Sequence, residues 1–200
     1  MLSDEEGIIA VRYAREVADS TVTTGSYRSP RLKLTETFEV NAGAFVTLLT
    51  YPEGRLRGCI GFSDPVFQLK LALLNAAVEA AIGDPRFEPV RAPELPKLTV
   101  EVSVLTAPQP LAVGTPWELP DRIKVGRDGL IVEHGRFRGL LLPQVAVDEG
   151  WSSEEFLSQT CWKAELPENS WHDKGTKVLR FEAEVFHELE PYGKVERKLL

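Results

Sequence analysis

The chain has 200 residues, of which 43% are hydrophobic and 26% charged, so it resembles an average soluble globular protein with one core or two small lobes. Its 23 basic and 30 acidic residues give a net charge of −7, which argues against non-specific binding to nucleic acid. Apolar runs too short for a bilayer, an acidic start and two isolated cysteines together predict a cytoplasmic protein with reduced thiols and no membrane association.

The first third of the chain predicts a helix followed by a β-hairpin. The stretch Ser3-Asp4-Glu5-Glu6 is a capping box, and the apolar spacing after it predicts a helix over residues 4–20. Two apolar runs, 44–50 and 55–62, flank the turn sequence Tyr51-Pro52-Glu53-Gly54. A short Pro/Gly segment between two such runs is typical of a β-hairpin.

The second strand of this hairpin contains the unusual sequence RLRGCIG. Alternation along a strand puts Arg57, Cys59 and Gly61 on one face and Gly58 on the other. We therefore expect Gly61 to clear space beside the thiol and Gly58 to permit close packing behind it. An apolar helix follows, from an N-cap at Asp64-Pro65 to Gly83, and its amino-terminal dipole is a candidate influence on the thiol.

The middle of the chain predicts one further strand. Leu98–Leu105 alternates between apolar and polar residues, which is typical of a half-buried strand. Its polar face carries Glu101 and Ser103, and such a face usually lies against solvent. Four prolines then predict a loop over the next fifteen residues.

The last third predicts strands in hairpins with helices between them. Residues 123–142 read as three short strands, and a helical turn follows at Pro143-Gln144. A second capping box at Ser152 opens a helix to about Ala164, and residues 177–186 alternate as a strand before a charged tail. Hairpin clusters with intervening helices predict an α+β fold with a mainly antiparallel sheet.

The strongest chemical signal is the pair Arg57 and Cys59. A guanidinium near a thiol favours the thiolate and so lowers the thiol pKa, which makes Cys59 a candidate nucleophile with Arg57 as its activator. The alternative is that Cys59 is a small buried side chain and its glycine neighbours only permit tight packing. The second cysteine, Cys161, lies beside Trp162 in a predicted helix and reads as a packing residue.

Gly58 and Gly61 are candidate ligand-binding residues beside the thiol, and four other residues are candidates for the same site. Glu101 is a candidate proton carrier and Ser103 a candidate ligand-binding group, if their strand neighbours the cysteine strand. Arg86 and Gln144 are further candidate ligand-binding residues. The alternatives are that the Arg86 stretch is only a loop anchored by Phe87, and that the Gln144 amide binds only the backbone of a turn. The chain has no G-x-S-x-G, P-loop or G-x-G-x-x-G motif and no metal-ligand spacing, so no cofactor or metal is evident.

Five separated motifs resemble those of the AMMECR domain family, whose microbial members are also called AmmeMemoRadiSam system protein A. They are LRGCIG at 56–61, DPRFEP at 84–89, VEVSVL at 100–105, GLLLPQVA at 139–146 and FLSQTCWKAELP at 156–167. Their order and spacing extend the resemblance over nearly the whole chain. One position departs from the family pattern, because Glu165 stands where microbial members typically have a glycine.

The resemblance implies one AMMECR-type domain over residues 1–200, with two unequal lobes around a cleft, in an archaeal or bacterial protein. It also implies association with a Memo-like protein and a radical S-adenosylmethionine enzyme. It implies no reaction, and it carries over residues 56–61 only as a proposed functional motif. At Glu165, glycine would suit a left-handed helix end, so Glu165 either accepts strain there or ends the helix differently.

Two functional hypotheses follow. In the first, the protein is an enzyme or enzyme subunit with Cys59 as nucleophile or covalent carrier, Arg57 either favouring the thiolate or binding an anion, and Glu101 moving protons. In the second, it is a non-catalytic adaptor whose glycine-rich strand face binds a peptide, a nucleobase or a partner protein, with Cys59 present for its small size.

Overall fold

A computed structural model of the chain describes residues 2–27 and 30–199. They form two compact units: unit 1 comprises the described residues up to Leu105 together with Glu184–Leu199, and unit 2 comprises Thr106–Ala183. The helices are α1 (Asp4–Thr24), α2 (Leu69–Ile82), α3 (Leu119–Arg122), α4 (Pro143–Asp148) and α5 (Ser153–Lys163). The strands are β1 (Gly43–Thr50), β2 (Leu56–Phe62), β3 (Leu98–Leu105), β4 (Gln109–Pro110), β5 (Asp128–His134), β6 (Phe137–Leu141), β7 (Lys177–Glu188) and β8 (Val195–Lys198).

The arrangement confirms the predicted α+β class. In unit 1 the strands run in the order β2–β1–β3–β7, with β8 paired to β7 over residues 185–188. The β1–β2, β1–β3 and β7–β8 pairs are all antiparallel. Among the described residues, no helix is long and apolar enough to cross a membrane.

The core of unit 1 lies between α1, α2 and one face of the sheet. Alternate residues of β1 and β3 turn towards the helices, and Val46, Val100 and Val102 are fully buried there. Small residues on α2, such as Ala76 and Ala77, let the helix approach the strands closely. This packing fixes which residues of β2 face the helices and which face away from them.

Both helices of unit 1 differ from their predicted bounds. Helix α1 extends four residues past the predicted end, because the hydroxyls of Thr21, Thr23 and Thr24 donate to carbonyls one turn back and Gly25 (φ 70°) closes the helix. Helix α2 begins at Leu69 rather than Pro65. The preceding residues pair instead with the chain before β1, through an Asn41–Gln68 bridge.

Unit 2 is built on β5, β6, β4 and residues 177–183 of β7. Strand β5 pairs with β6 and with β7, and α5 packs on β5 and β6 over a core that includes Leu130 and Phe156. The structure has two strands where the sequence predicted three over residues 123–142. Residues 123–127 form a turn instead, because the Asp128 carboxylate accepts the amide of Lys124.

The second face of β3 is buried, whereas its polar residues had predicted a solvent face. All eight residues of β3 are buried, including Thr99 at 8%, Glu101 at 5% and Ser103 at 1% exposure. The tail beyond β7 is also ordered differently from the prediction, because residues 195–198 form β8. A polar side chain buried on this face needs a hydrogen-bond partner.

Candidate functional site

Cys59 lies on β2, the outermost strand of the order in unit 1, in a polar row that crosses the sheet. Thr47 on β1 pairs with Cys59 on one side and with Glu101 on the other. Because paired residues of antiparallel strands place their side chains on the same face, the three side chains share the face opposite the helices. The sequence placed Glu101 in the site of Cys59 on the condition that their strands are neighbours, and this condition is not met because β1, with Thr47, lies between β2 and β3.

Two hydrogen bonds organise this row. The hydroxyl of Thr47 donates to Sγ of Cys59 at 3.3 Å. The ammonium of Lys198 on β8 donates to Oε2 of Glu101 at 3.2 Å, and the Glu101 side chain is only 6% exposed. The Lys198 charge therefore compensates the buried carboxylate of Glu101.

The backbone of Cys59 is held by two side chains of the DPRFEP turn. Its amide donates to Oδ2 of Asp84 at 2.8 Å, and its carbonyl accepts from Nη2 of Arg86 at 3.1 Å. Arg86 also binds both carboxylate oxygens of Asp84, through Nε at 2.9 Å and Nη2 at 2.7 Å. On an outermost strand, the Asp84–Arg86 pair thus takes the place of a neighbouring strand at this one residue.

The carboxyl of Asp84 is an anion in this arrangement. Its pKa lies well below the usual range, chiefly because of the hydrogen bonds from Arg86 and with help from the Cys59 amide. The residue is buried, with 4% exposure. A charged, fixed carboxylate therefore lies at the outer edge of β2, against the Cys59 amide.

The two glycines beside Cys59 have different neighbours. A Cβ on Gly58 would lie 2.1 Å from the carbonyl oxygen of Ala80, so Gly58 lets β2 pack against the backbone of α2. A Cβ on Gly61 would lie 2.4 Å from both the Ala44 carbonyl oxygen and the Phe45 ring. The space beside Gly61 is therefore occupied by Phe45, whereas the sequence had predicted open space next to the thiol.

The helix near this strand presents its carboxyl-terminal end. Ala80 belongs to the last turn of α2, so the free carbonyls of that end approach β2 at Gly58. The sequence had suggested the amino-terminal dipole of this helix as an influence on the thiol. The carbonyl end carries the partial negative charge and does not favour a thiolate.

Arg57 is bound to a carboxylate rather than to the thiol. Its Nε and Nη2 donate to the two oxygens of Glu94 at 2.8 and 3.2 Å. Its guanidinium carbon also lies 5.9 Å from the centre of the Phe87 ring, and that of Arg86 lies 5.6 Å from the same ring. The sequence prediction that Arg57 activates Cys59 is therefore wrong, because Glu94 balances the Arg57 charge.

The pKa of the Cys59 thiol is raised. Burial is the largest cause, and the negative charges of Glu101 and Asp84 act in the same direction. The hydrogen bond from Thr47 and the charge of Arg86 oppose the shift without reversing it. The thiol is half-buried and not in a disulfide, and with its raised pKa it is neutral near pH 7.

The remaining predicted residues lie elsewhere. Ser103 is buried on β3 next to the Glu101 row, and Gln144 is buried in α4 of unit 2. Cys161 is fully buried in the core of unit 2, and burial raises its pKa to about 11, as expected of a packing residue. Within residues 2–27 and 30–199, no group of three or more His, Cys, Asp or Glu side chains could hold a metal ion.

Sequence reasoning missed four residues of this site, one of which is Glu94, the partner of Arg57. Thr47 had no signal beyond its strand, and Lys198 was part of a charged tail. Asp84 was read only as part of a turn, although an aspartate two residues before an arginine can bind both the turn and the arginine. We call the bonds of Asp84 and Arg86 to the Cys59 backbone the clamp. The Asp-x-Arg spacing is the one local signal that could have identified it.

Fold and site together define an α+β protein with a neutral thiol on a clamped outer strand. The AMMECR1 family model matches residues 11–186, and the chain belongs to this family. A protein of Thermococcus gammatolerans is 52% identical over 202 residues, which cover 100% of this chain and 98% of that one. Protein MJ0810 of Methanocaldococcus jannaschii is 48% identical, with coverage of 100% and 99%.

A solved structure has the same fold. The crystal structure of uncharacterized protein PH0010 from Pyrococcus horikoshii superposes with a TM-score of 0.96 at 48% identity, covering 100% of this chain and 99% of that one. The predicted α+β class and the family resemblance are thereby confirmed. These relatives are archaeal proteins whose names state no activity.

Proposed function

We propose that this protein is the binding component of a modification system, and that the LRGCIG strand with the DPRFEP turn is its recognition element. Its partners in the proposal are a Memo-like protein and a radical S-adenosylmethionine enzyme, as the family resemblance implies. The free thiols of both cysteines suit a cytoplasmic setting for such a system. The observation that carries the binding role is the clamp of Asp84 and Arg86 on the Cys59 peptide.

The clamp favours recognition over catalysis because it makes a rigid strand around an inert thiol. The backbone of Cys59 is fixed from the outer side, and Gly58 lies against α2 from behind. A rigid surface loses little conformational entropy when a partner binds. A nucleophile, in contrast, needs thiolate character at working pH, and the surroundings of Cys59 oppose it.

Binding to the two proposed partners tests this function. The purified chain would be titrated by calorimetry with the Memo-like protein and with the radical enzyme from the same organism. We expect Cys59→Ala to keep the affinity of the wild type, and Phe87→Ala to weaken binding by about tenfold or more, as loss of a surface aromatic does. Trp162→Ala, at a 68% exposed aromatic of unit 2, is the matched control and should bind normally.

Two results would overturn the proposal. One is the absence of binding to either partner at micromolar concentrations with folded protein. The other is loss of binding in Cys59→Ala while Phe87→Ala binds normally, because the thiol and not the surface would then carry the interaction.

A second candidate function keeps Cys59 as a nucleophile or covalent carrier, with Glu101 moving protons. The observation in its favour is that Thr47 donates to Sγ and that the Arg86 charge lowers the thiol pKa, both of which stabilise a thiolate. Its test is the pH dependence of Cys59 alkylation. A fast reaction at neutral pH would favour this function over the binding role.

A further inference from the structure

We propose that Arg57, Phe87 and Arg86 form an oxyanion-binding surface, which takes a carboxylate or phosphate group of the bound molecule. We call these three residues the arginine surface. The inference rests on the proposed function, because it names the chemical group that the recognition element binds. Carboxylate and phosphate groups both present pairs of oxygen acceptors, which guanidinium groups bind.

The two arginines leave the same part of their guanidinium group uncommitted. Each binds its own carboxylate through Nε and Nη2: Arg57 binds Glu94, and Arg86 binds Asp84. In the described part of the chain, Nη1 of neither arginine makes a hydrogen bond to another group. Two guanidinium groups therefore keep N–H donors for a ligand after their internal bonds are made.

The donors are held in place before any ligand binds. Asp84 is buried, and it is fixed by the amides of Cys59 and Arg86. Glu94 accepts the amide of Arg91, which fixes its carboxylate as well. Because both carboxylates are anchored, both guanidinium groups are ordered, and a ligand does not have to order two long side chains.

Phe87 connects the two arginines. Their guanidinium carbons lie 5.9 and 5.6 Å from the centre of its ring, within the range of a cation–π contact. The Arg86 side chain is 48% exposed and that of Arg57 is 16% exposed, so a ligand can approach the surface from the Arg86 side. The ring adds apolar surface beside the charged groups, which suits an anion attached to an organic molecule.

Charge balance limits the strength of binding. Both arginines are already paired with carboxylates, and the chain carries a net charge of −7, so long-range attraction of anions is weak. We therefore expect a bare anion to bind with a dissociation constant of about a millimolar, and this constant should rise as salt is added. The specificity comes from the direction of the N–H groups and not from net charge.

The experiment is an NMR titration of the full chain with two probes, inorganic phosphate and acetate. We expect saturable shifts of the Arg57 and Arg86 Nε–Hε signals, and the probe with the lower dissociation constant identifies the preferred oxyanion. Arg57→Lys and Arg86→Lys keep the charge and lose the fork, and each should weaken binding by about fivefold or more. Arg55→Ala removes an exposed arginine just before β2 and should bind as the wild type does.

A second readout needs no variant. Because the Arg86 charge lowers the Cys59 pKa, an anion at Arg86 should slow alkylation of Cys59 at a fixed alkaline pH. Sodium chloride at equal ionic strength is the control and should slow it less. The inference is overturned if neither probe gives saturable shifts, or if Arg55→Ala weakens binding as much as the lysine variants do.

The two proposals fail separately. If the partner proteins bind in calorimetry and neither phosphate nor acetate binds, the proposal that the arginine surface binds oxyanions is wrong, whereas the proposed binding function stands. If an anion binds and neither partner does, the proposed function is wrong and the anion site stands.

Discussion

The carbonyl oxygen of Ala80 lies where a side chain on Gly58 would begin, 2.1 Å from the position of its Cβ. This contact joins the last turn of α2 to the strand that carries Cys59. Any side chain at position 58 would push the strand away from the helix, and the clamp of Asp84 and Arg86 on the next residue would be displaced as well. Glycine is therefore required by packing at this position.

Gly58→Ala should lower the free energy of unfolding by about 2–3 kcal/mol, since the backbone of Ala80 cannot move aside as a flexible side chain can. Urea denaturation followed by circular dichroism measures the change. Gly114→Ala is the matched control, because its nearest neighbour is the flexible end of Glu118 at 3.1 Å. Equal stabilities of the two variants would contradict this account of the motif.

Cys59 should react slowly with iodoacetamide at neutral pH, and its rate should rise through a pKa above the unperturbed value of about 8.5. Burial raises the pKa of this thiol, so the thiolate forms only at higher pH than in a free cysteine. Peptide-resolved mass spectrometry follows Cys59 separately from Cys161. Thr47→Val removes a hydrogen bond that lowers the pKa and should move the midpoint further up. A midpoint below that of a free thiol would instead support the nucleophile.

Glu6 should hold the start of α1 against the segment before β1 in a pH-dependent way. Its carboxylate accepts the hydroxyls of Thr35 and Thr37, both at 2.6 Å, which lower its pKa from 4.5 to about 2. The folded pKa lies below the unfolded one, so the stabilisation is present above about pH 4.5 and is lost as the pH falls towards 2.

Carbon-detected NMR titration of the Glu6 carboxyl measures this pKa directly. Glu6→Gln should remove the acid-dependent part of the stability, and Glu5→Gln, in the same helical turn, should leave it unchanged. A Glu6 pKa near 4.5 in the folded protein would show that the two threonine bonds do not form in solution.

Arg15 and Glu188 form a buried ion pair in unit 1. Glu188 also accepts the amide of Val100 at 3.1 Å, and Arg15 donates to the carbonyl of Leu98 at 2.6 Å. Glu188→Ala should lower the free energy of unfolding by about 3 kcal/mol, as measured by thermal unfolding, because the buried Arg15 charge then keeps only Asp19, at 3.8 Å, as a carboxylate partner. Glu196→Gln is the control, because Glu196 belongs to an exposed ion pair with Lys194. Its thermal unfolding should match that of the wild type.

Glu165 occupies the left-handed helix end for which the family pattern has glycine, with a φ of 60°. Glu165→Gly should raise the free energy of unfolding by about 1 kcal/mol, because relief of the strain exceeds the added flexibility of the unfolded chain. Tyr192, also at a φ of 60°, is the contrasting position. Its ring lies 4.5 Å from the Arg15 guanidinium, so Tyr192→Gly should destabilise the protein. Destabilisation by Glu165→Gly would show that contacts of the Glu165 side chain stabilise the fold by more than the backbone strain costs.

Features that depend on neighbouring residues could be predicted from the sequence. The capping boxes at Ser3 and Ser152, the hairpin of β1 and β2 and the bounds of β3 were confirmed, since each depends on residues a few positions apart. The same alternation separated Gly58 from Cys59, and the structure shows the α2 backbone on the Gly58 side.

The electrostatics of the site depended on tertiary structure. Arg57 binds Glu94, 37 residues away, and Lys198 binds Glu101, 97 residues away. No periodicity links such positions, so the sequence assigned Arg57 to the thiol two residues along the strand. The sequence by itself determined which residues share a strand face. Only the tertiary structure decided which charges meet and how deeply the thiol is buried, because both depend on strands and turns that the chain brings together from far apart.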